Sequence, residues 1–109
     1  MHRVTIDKDA GVLSTLPIMV GDVYVQPLTE GYAETIRISS VSFPNGARNV
    51  MHSHQREQVL VILEGEGIVA NEETELQVSA GDVIIIPAGE QHWHGARPDS
   101  SMVHLSIMA

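Results

Sequence analysis

Apolar side chains recur along this chain in short alternating runs. No stretch sustains the i, i+3, i+4, i+7 spacing of an amphipathic helix. Runs rich in valine, isoleucine and leucine return between turns built on glycine, proline, asparagine and aspartate, and this pattern predicts an all-β fold. Residues 1–15 alternate weakly at Val4 and Ile6 and then pass through Lys8-Asp9-Ala10-Gly11. Residues 1–18 are therefore expected to form an N-terminal arm, and 19–109 the folded body. Residues 23–28 follow Gly21-Asp22 and contain Pro27, which suits an edge strand because proline has no N–H to give to a ladder. Between 33 and 43 the apolar positions are Ile36 and Ile38, then Val41 and Phe43. The alternation slips by one at Ser39-Ser40, so a β-bulge is expected there.

Pro44-Asn45-Gly46 is a turn signal. Residues 59–63, VLVIL, are apolar at every position and predict a strand covered on both faces; residues 83–86, VIII, predict the same. Between them lie short strands at 68–70 and 76–78 around an acidic turn at Asn71-Glu72-Glu73. After Pro87-Ala88-Gly89 the chain resumes at His92-Trp93-His94, turns at Arg97-Pro98-Asp99 and ends in a strand over 101–108. Stretches 46–67 and 81–95 read as two similar half-units, each with glycine, extended segment, turn and histidine. Such a chain must hide its sheet edges by closing a barrel, folding as a jelly roll or pairing with a second copy, and a homodimer is expected.

The length of 109 residues bounds the chain to one domain with a modest core. Six Lys plus Arg against 14 Asp plus Glu give a net charge of −8, which repels a phosphate backbone, so nucleic acid is not an expected partner. No apolar run approaches the roughly 20 residues that span a bilayer. The first twenty residues carry Asp7, Lys8, Asp9 and Pro17 where a secretory signal needs an unbroken apolar segment, so a cytoplasmic location without membrane attachment is expected. With no cysteine, any metal must be held by histidine, carboxylate, amide or water.

Four of the six histidines fall in two His-x-His pairs, His52 with His54 and His92 with His94. On an extended backbone each pair points to one side, and two such pairs framed by glycine turns invite a divalent metal. The spacing Gly46, five residues, His52-Ser53-His54, three residues, Gln58, six residues, Gly65 resembles the first cupin motif, which has Glu at the Gln58 position in many members. Gly81, five residues, Pro87-Ala88-Gly89, two residues, His92 resembles the second. This resemblance implies a double-stranded β-helix, the jelly-roll barrel of cupins. Over residues 19–109 the chain also resembles the small cupins fused to carboxymuconolactone decarboxylase and the manganese-dependent bacterial hydroxynitrile lyases. Relatives have an aromatic residue where Met51 stands, proline at Gln55 and a small residue at Glu57, so the rim of the pocket differs.

Carried over residue by residue, the resemblance implies His52, His54, Gln58 and His92 as ligands, and His104 on the last strand as the acid or base. Three imidazoles and an amide oxygen suit Mn, Fe, Ni, Co or Zn, with Mn placed first, and leave coordination positions for a small-molecule substrate. A neutral amide in place of a carboxylate leaves the ion's charge available as a Lewis acid. The expected activity is a lyase acting on a small hydroxy or carbonyl compound. An Fe- or Mn-dependent dioxygenase and a non-catalytic binding or sensing module are the alternatives, since a fold does not dictate a function. Gln58 could instead be an ordinary strand glutamine. His94, Met51 and Met102 are expected to line the pocket, although a core hydrogen bond would equally account for His94. If even-numbered positions of the last strand face inward, His104 lines the pocket with Met102 and Met108; otherwise it tethers a neighbouring strand. Trp93 should face away from its flanking histidines.

Overall fold

The computed structural model describes residues 1–109 and is built of strands joined by turns, with a single 3-10 turn at Lys8–Ala10. The strands are β1 (Val12–Leu13), β2 (Met19–Val20), β3 (Tyr24–Pro27), β4 (Arg37–Phe43), β5 (Arg48–Asn49), β6 (Gln58–Asn71), β7 (Glu75–Ser79), β8 (Val83–Ile86), β9 (His92–Ala96) and β10 (Met102–Met108). All their pairings are antiparallel.

β6 belongs to two sheets. Its first half runs between β8 and β10, and the larger sheet continues from β10 through β4 and β3 to β1. Its second half runs between β7 and β9, and the smaller sheet continues through β5 to β2. The sheets part at Gly65, where φ is +83° and a Cβ would run into the Ser101 carbonyl oxygen, so the crossing requires glycine.

The core lies between the inner faces and includes Val41, Phe43, Leu60, Ile62, Val69 and Met102. Each large apolar side chain sealed there contributes roughly 1.5–3 kcal/mol. The ladders fix which residues share that interior: Val41 and Ile62 both oppose His104, while Phe43 and Gly65 oppose Met102. Even-numbered positions of β10 therefore face inward. Met102 and His104 are buried, and Met108 is half-buried at the strand's end.

Three sequence expectations need correction. β4 keeps an unbroken register with both neighbours, so there is no bulge at Ser39-Ser40. Ser39 simply occupies an inner position opposite Ser106, and a serine there disguised the alternation. The irregularity sits on β6, where Val103 opposes Glu64 and His104 opposes Ile62, leaving Leu63 as the extra residue. The strands at 59–63 and 83–86 are covered on one face only. Leu60 and Ile62 are buried, Val59 and Val61 half-buried, and Val83 and Ile85 are 52% and 62% exposed.

Residues 1–18 bury no side chain. They lie along the larger sheet through the β1–β3 pairing, the Lys8–Glu64 ion pair at 3.0 Å, and Gln26, which accepts from the Asp7 N–H and donates to the Thr5 carbonyl. Trp93 pairs with Ala70 away from the histidine face, and the Arg48 guanidinium stacks 3.5 Å from its ring centre.

Candidate metal centre

The two histidine motifs meet through main-chain hydrogen bonds. His52 and His92 exchange both N–H···O bonds at 2.9 Å, and Gly89 N–H donates to the His54 carbonyl at 2.8 Å. Gly89 holds φ at +81° in the turn between β8 and β9, a conformation glycine adopts without strain. These contacts gather His52, His54 and His92 so that one ligand atom from each lies within 4.8 Å of the others.

The rings are also oriented. His52 Nδ1 sits 2.7 Å from the Val50 carbonyl and His92 Nδ1 2.8 Å from the Glu90 carbonyl, so each donates there and keeps its Nε2 lone pair free. His54 Nε2 and His92 Nε2 are buried without a partner. Gln58 is buried on β6, its Nε2 donates to Ser106 Oγ at 2.9 Å, and its Oε1 is likewise buried and unpartnered. Buried polar atoms without partners are costly, and those here are lone-pair donors. Two imidazole nitrogens left in this condition, beside the free edge of His52, fit a divalent transition metal, and the Gln58 amide oxygen is a donor of a kind such an ion accepts.

Electrostatics favour the unprotonated donors that a metal needs. Burial, followed by the neighbouring His52 and His92, pushes the His54 pKa down; burial is also the main cause of the lowered pKa of His92.

His94 stands behind the three histidines, its ring centre 5.7 Å from that of His52 and 5.8 Å from that of His92. Its Nδ1 meets His104 Nε2 at 3.0 Å, and His104 packs against Phe43 with ring centres 5.2 Å apart. His94 and His104 are both buried, and burial is the first cause of their depressed pKa values, that of His104 falling to about 4. His94 is held well below the usual imidazole range, with His104 the next contribution. Met102 is buried beneath this pair among core residues, while Met51 lies at the surface, 40% exposed.

Two residues of this region have no signal in the sequence. Ser106 fixes the Gln58 amide, and its place on the inner face follows only once β10 is known to point its even positions inward. Asn49 is buried, and its Oδ1 accepts the His94 main-chain N–H at 2.9 Å. A cavity of about 300 Å³ between β7 and β8 reaches His92 and is lined by Val69, Leu76, Ile84 and Ile86 among others. A hollow of about 420 Å³ beneath the N-terminal arm, beside Lys8, Tyr24 and Glu64, contains none of the histidines.

Residues 39–108 match the family model described as Cupin domain. The chain is 36% identical over 89 residues to an (R)-mandelonitrile lyase of Granulicella tundricola, covering 80% of this chain and 68% of the relative. Among solved structures, a cupin-like protein of Thermotoga maritima superposes with a TM-score of 0.84 at 32% identity, over 91% of this chain and 77% of that one. A polyketide cyclase of Streptomyces resistomycificus superposes at 0.83 with 18% identity, over 98% and 79%, a likeness of fold alone.

Proposed function

The chain belongs to the cupin family, and we propose that it is a metal-dependent lyase that cleaves a small α-hydroxynitrile or a closely related hydroxy compound. The observation that carries this reading is the gathering of ligand atoms from His52, His54 and His92 within 4.8 Å of one another; the buried Gln58, whose Oε1 is unpartnered, supports it as a fourth donor. The similarity to a mandelonitrile lyase supports the reaction class. His52, His54, His92 and Gln58 would hold one divalent ion, for which manganese is the first candidate. Bound there, the ion supplies Lewis-acid stabilisation of negative charge developing on the substrate oxygen.

The chain's own groups handle the proton. Cleavage removes the hydroxyl proton, converts C–O to C=O and breaks the C–CN bond, whose electron pair leaves with cyanide and is then protonated to HCN. His104, hydrogen-bonded to His94, is the residue assigned to this transfer: burial keeps its ring unprotonated, so it starts as a base, and a proton it takes up is readily passed on to cyanide. Val69, Leu76, Ile84 and Ile86 supply apolar walls to the cavity that reaches His92.

The test is metal analysis of untagged protein, followed by HCN release from mandelonitrile with and without added Mn²⁺. Stoichiometric metal with metal-dependent release supports the reading. Full loading without any release from a panel of hydroxynitriles overturns it, and oxygen uptake with catechols or diketones would replace it with a dioxygenase.

A second copy is the proposed partner, seated on the outer face of the larger sheet. Register aligns Ile38, Ile107, Val59 and Ile85 in one row across four strands, with Leu105, Val61 and Val83 beside it. These seven positions are all uncharged on a chain of net charge −8, so the row is where two copies can meet without like-charge repulsion.

A further inference from the structure

Asn49 makes contacts that its place in a two-residue strand does not explain. β5 touches β9 through the single pair Arg48–Gly95, and Asn49 itself pairs on the other side with Met19. Yet the Asn49 side chain is turned inward and only 1% exposed. Its Oδ1 accepts the His94 main-chain N–H at 2.9 Å, which settles the orientation of the amide. Its Nδ2 then lies 3.4 Å from both Nδ1 and Nε2 of the His94 imidazole. Equal distances to the two nitrogens put the amide over the ring face rather than along either lone pair, an N–H···π contact. One side chain thus holds both the backbone and the ring of His94.

One of these two nitrogens also meets the next histidine: His94 Nδ1 lies 3.0 Å from His104 Nε2. Beyond it, His104 Nδ1 is buried without a partner. His94 is therefore the one side-chain hydrogen-bond partner that orients His104, and that contact is only as well placed as His94. The three candidate ligands are tied elsewhere, His52 to Val50, His92 to Glu90 and His54 through Gly89.

We propose that Asn49 is the positioning residue of this site: by gripping His94 at backbone and ring it holds the His94–His104 pair in one orientation, and the Nδ1···Nε2 contact so held keeps the pair in one tautomer, ready to meet the substrate. Its relevance to turnover rests on the lyase reading above; its effect on the two rings does not.

The experiment separates the two. Protein carrying ¹⁵N-labelled histidine, loaded with diamagnetic Zn²⁺, is examined by long-range ¹⁵N–¹H correlation as wild type and as Asn49→Ala. The wild type should show a single tautomer for His94 and for His104. In the variant both should move toward tautomer-averaged nitrogen shifts, while His52 and His92 keep their Nδ1–H patterns. Unchanged His94 and His104 signals overturn the proposal, and so does simultaneous change at all four rings, which would make Asn49 a general structural support. If Asn49→Ala does not fold, Asn49→Thr, whose hydroxyl can still accept the His94 N–H but places no amide over the ring, is read by the same criterion. Where hydroxynitrile cleavage is present, kcat of Asn49→Ala should fall on the order of tenfold to a hundredfold with KM little changed. A loss of kcat without any change at the two rings overturns the assignment while leaving the lyase reading in place.

Discussion

Acidification should loosen the metal-free protein well above the pH at which its carboxylates titrate, and His104 sets the size of the effect. Its ring is fully buried, and burial lowers its pKa from 6.5 to about 4. Between those values the unfolded chain binds a proton that the folded chain refuses. The stabilisation is complete above pH 6.5 and is lost as the pH falls through 4. Linkage makes the loss about 2 kcal/mol by pH 5 and roughly 3 kcal/mol by pH 4, a large share of the 5–15 kcal/mol typical of a small domain. His94 acts in the same direction. The assay is urea unfolding of chelator-treated wild type and His104→Leu at pH 7.5, 6 and 5; bound metal is removed because ligand protonation would add its own slope. At pH 7.5 the variant should be weaker by roughly 1–3 kcal/mol, because buried His94 Nδ1 loses its 3.0 Å hydrogen-bond partner. Between pH 7.5 and 5 it should lose about 2 kcal/mol less than the wild type. Equal losses in both proteins would refute the assignment to His104, and a flat wild type would refute the claim that these rings are held neutral by burial.

Other substitutions test separate parts of the structure. Gln58→Glu should keep or raise metal content, since Ser106 can donate to a carboxylate placed there, while lowering Lewis-acid activity; equal activity at equal loading would sink the argument from the neutral amide. Gly95→Ala brings a Cβ onto Arg48 Cβ and to 2.7 Å from the Ala47 carbonyl oxygen, so β5 must move off β9. A loss of roughly 1–3 kcal/mol in urea unfolding is expected, with a shift in the emission of Trp93, the single tryptophan, as the Arg48 stack is disturbed. Ile85→Glu places a charge in the outer apolar row of the larger sheet and should convert the proposed dimer to a monomer in analytical ultracentrifugation without lowering stability, since that side chain is already 62% exposed; a wild type that sediments as a monomer would remove the dimer.

How much of this was legible in the sequence depends on what kind of information each feature needed. The turns on either side of β8 followed from turn signals and motif spacing, because glycine at 81 and 89 supplies positive φ where the chain turns, whereas Gly65, read as the end of a strand, lies inside β6. The inward face of β10 was open until register was known: Val103 and His104 are both buried, so alternation alone does not separate them. The bulge was misplaced because Ser39 looks like a surface residue, yet it opposes Ser106 on the inner face, where Ser106 also holds Gln58. The all-apolar runs at 59–63 and 83–86 were read as covered twice because composition reports what a face would tolerate, whereas cover depends on what packs there. Asn49 was invisible for a related reason: its significance lies in a contact with His94, 45 residues away, which no local pattern encodes.

The site's charge balance links these observations. No Asp or Glu joins the three histidines, and Gln58 stands where many cupins place a carboxylate, so none of the four candidate ligands carries a negative charge. The chain nevertheless carries a net charge of −8, with the carboxylates at Glu64, Glu66, Glu72 and Glu73 exposed to solvent, where screening blunts them. A cation held by neutral donors in a buried setting keeps its field for whatever negative charge develops next to it, whereas a coordinating carboxylate would neutralise part of that field. The same neutrality explains why His94 and His104 must be oriented by an amide rather than by an acid. An Asp at position 49 would draw a proton onto the His94 ring and remove a neutral base, whereas Asn49 supplies the same main-chain acceptor and leaves the ring uncharged.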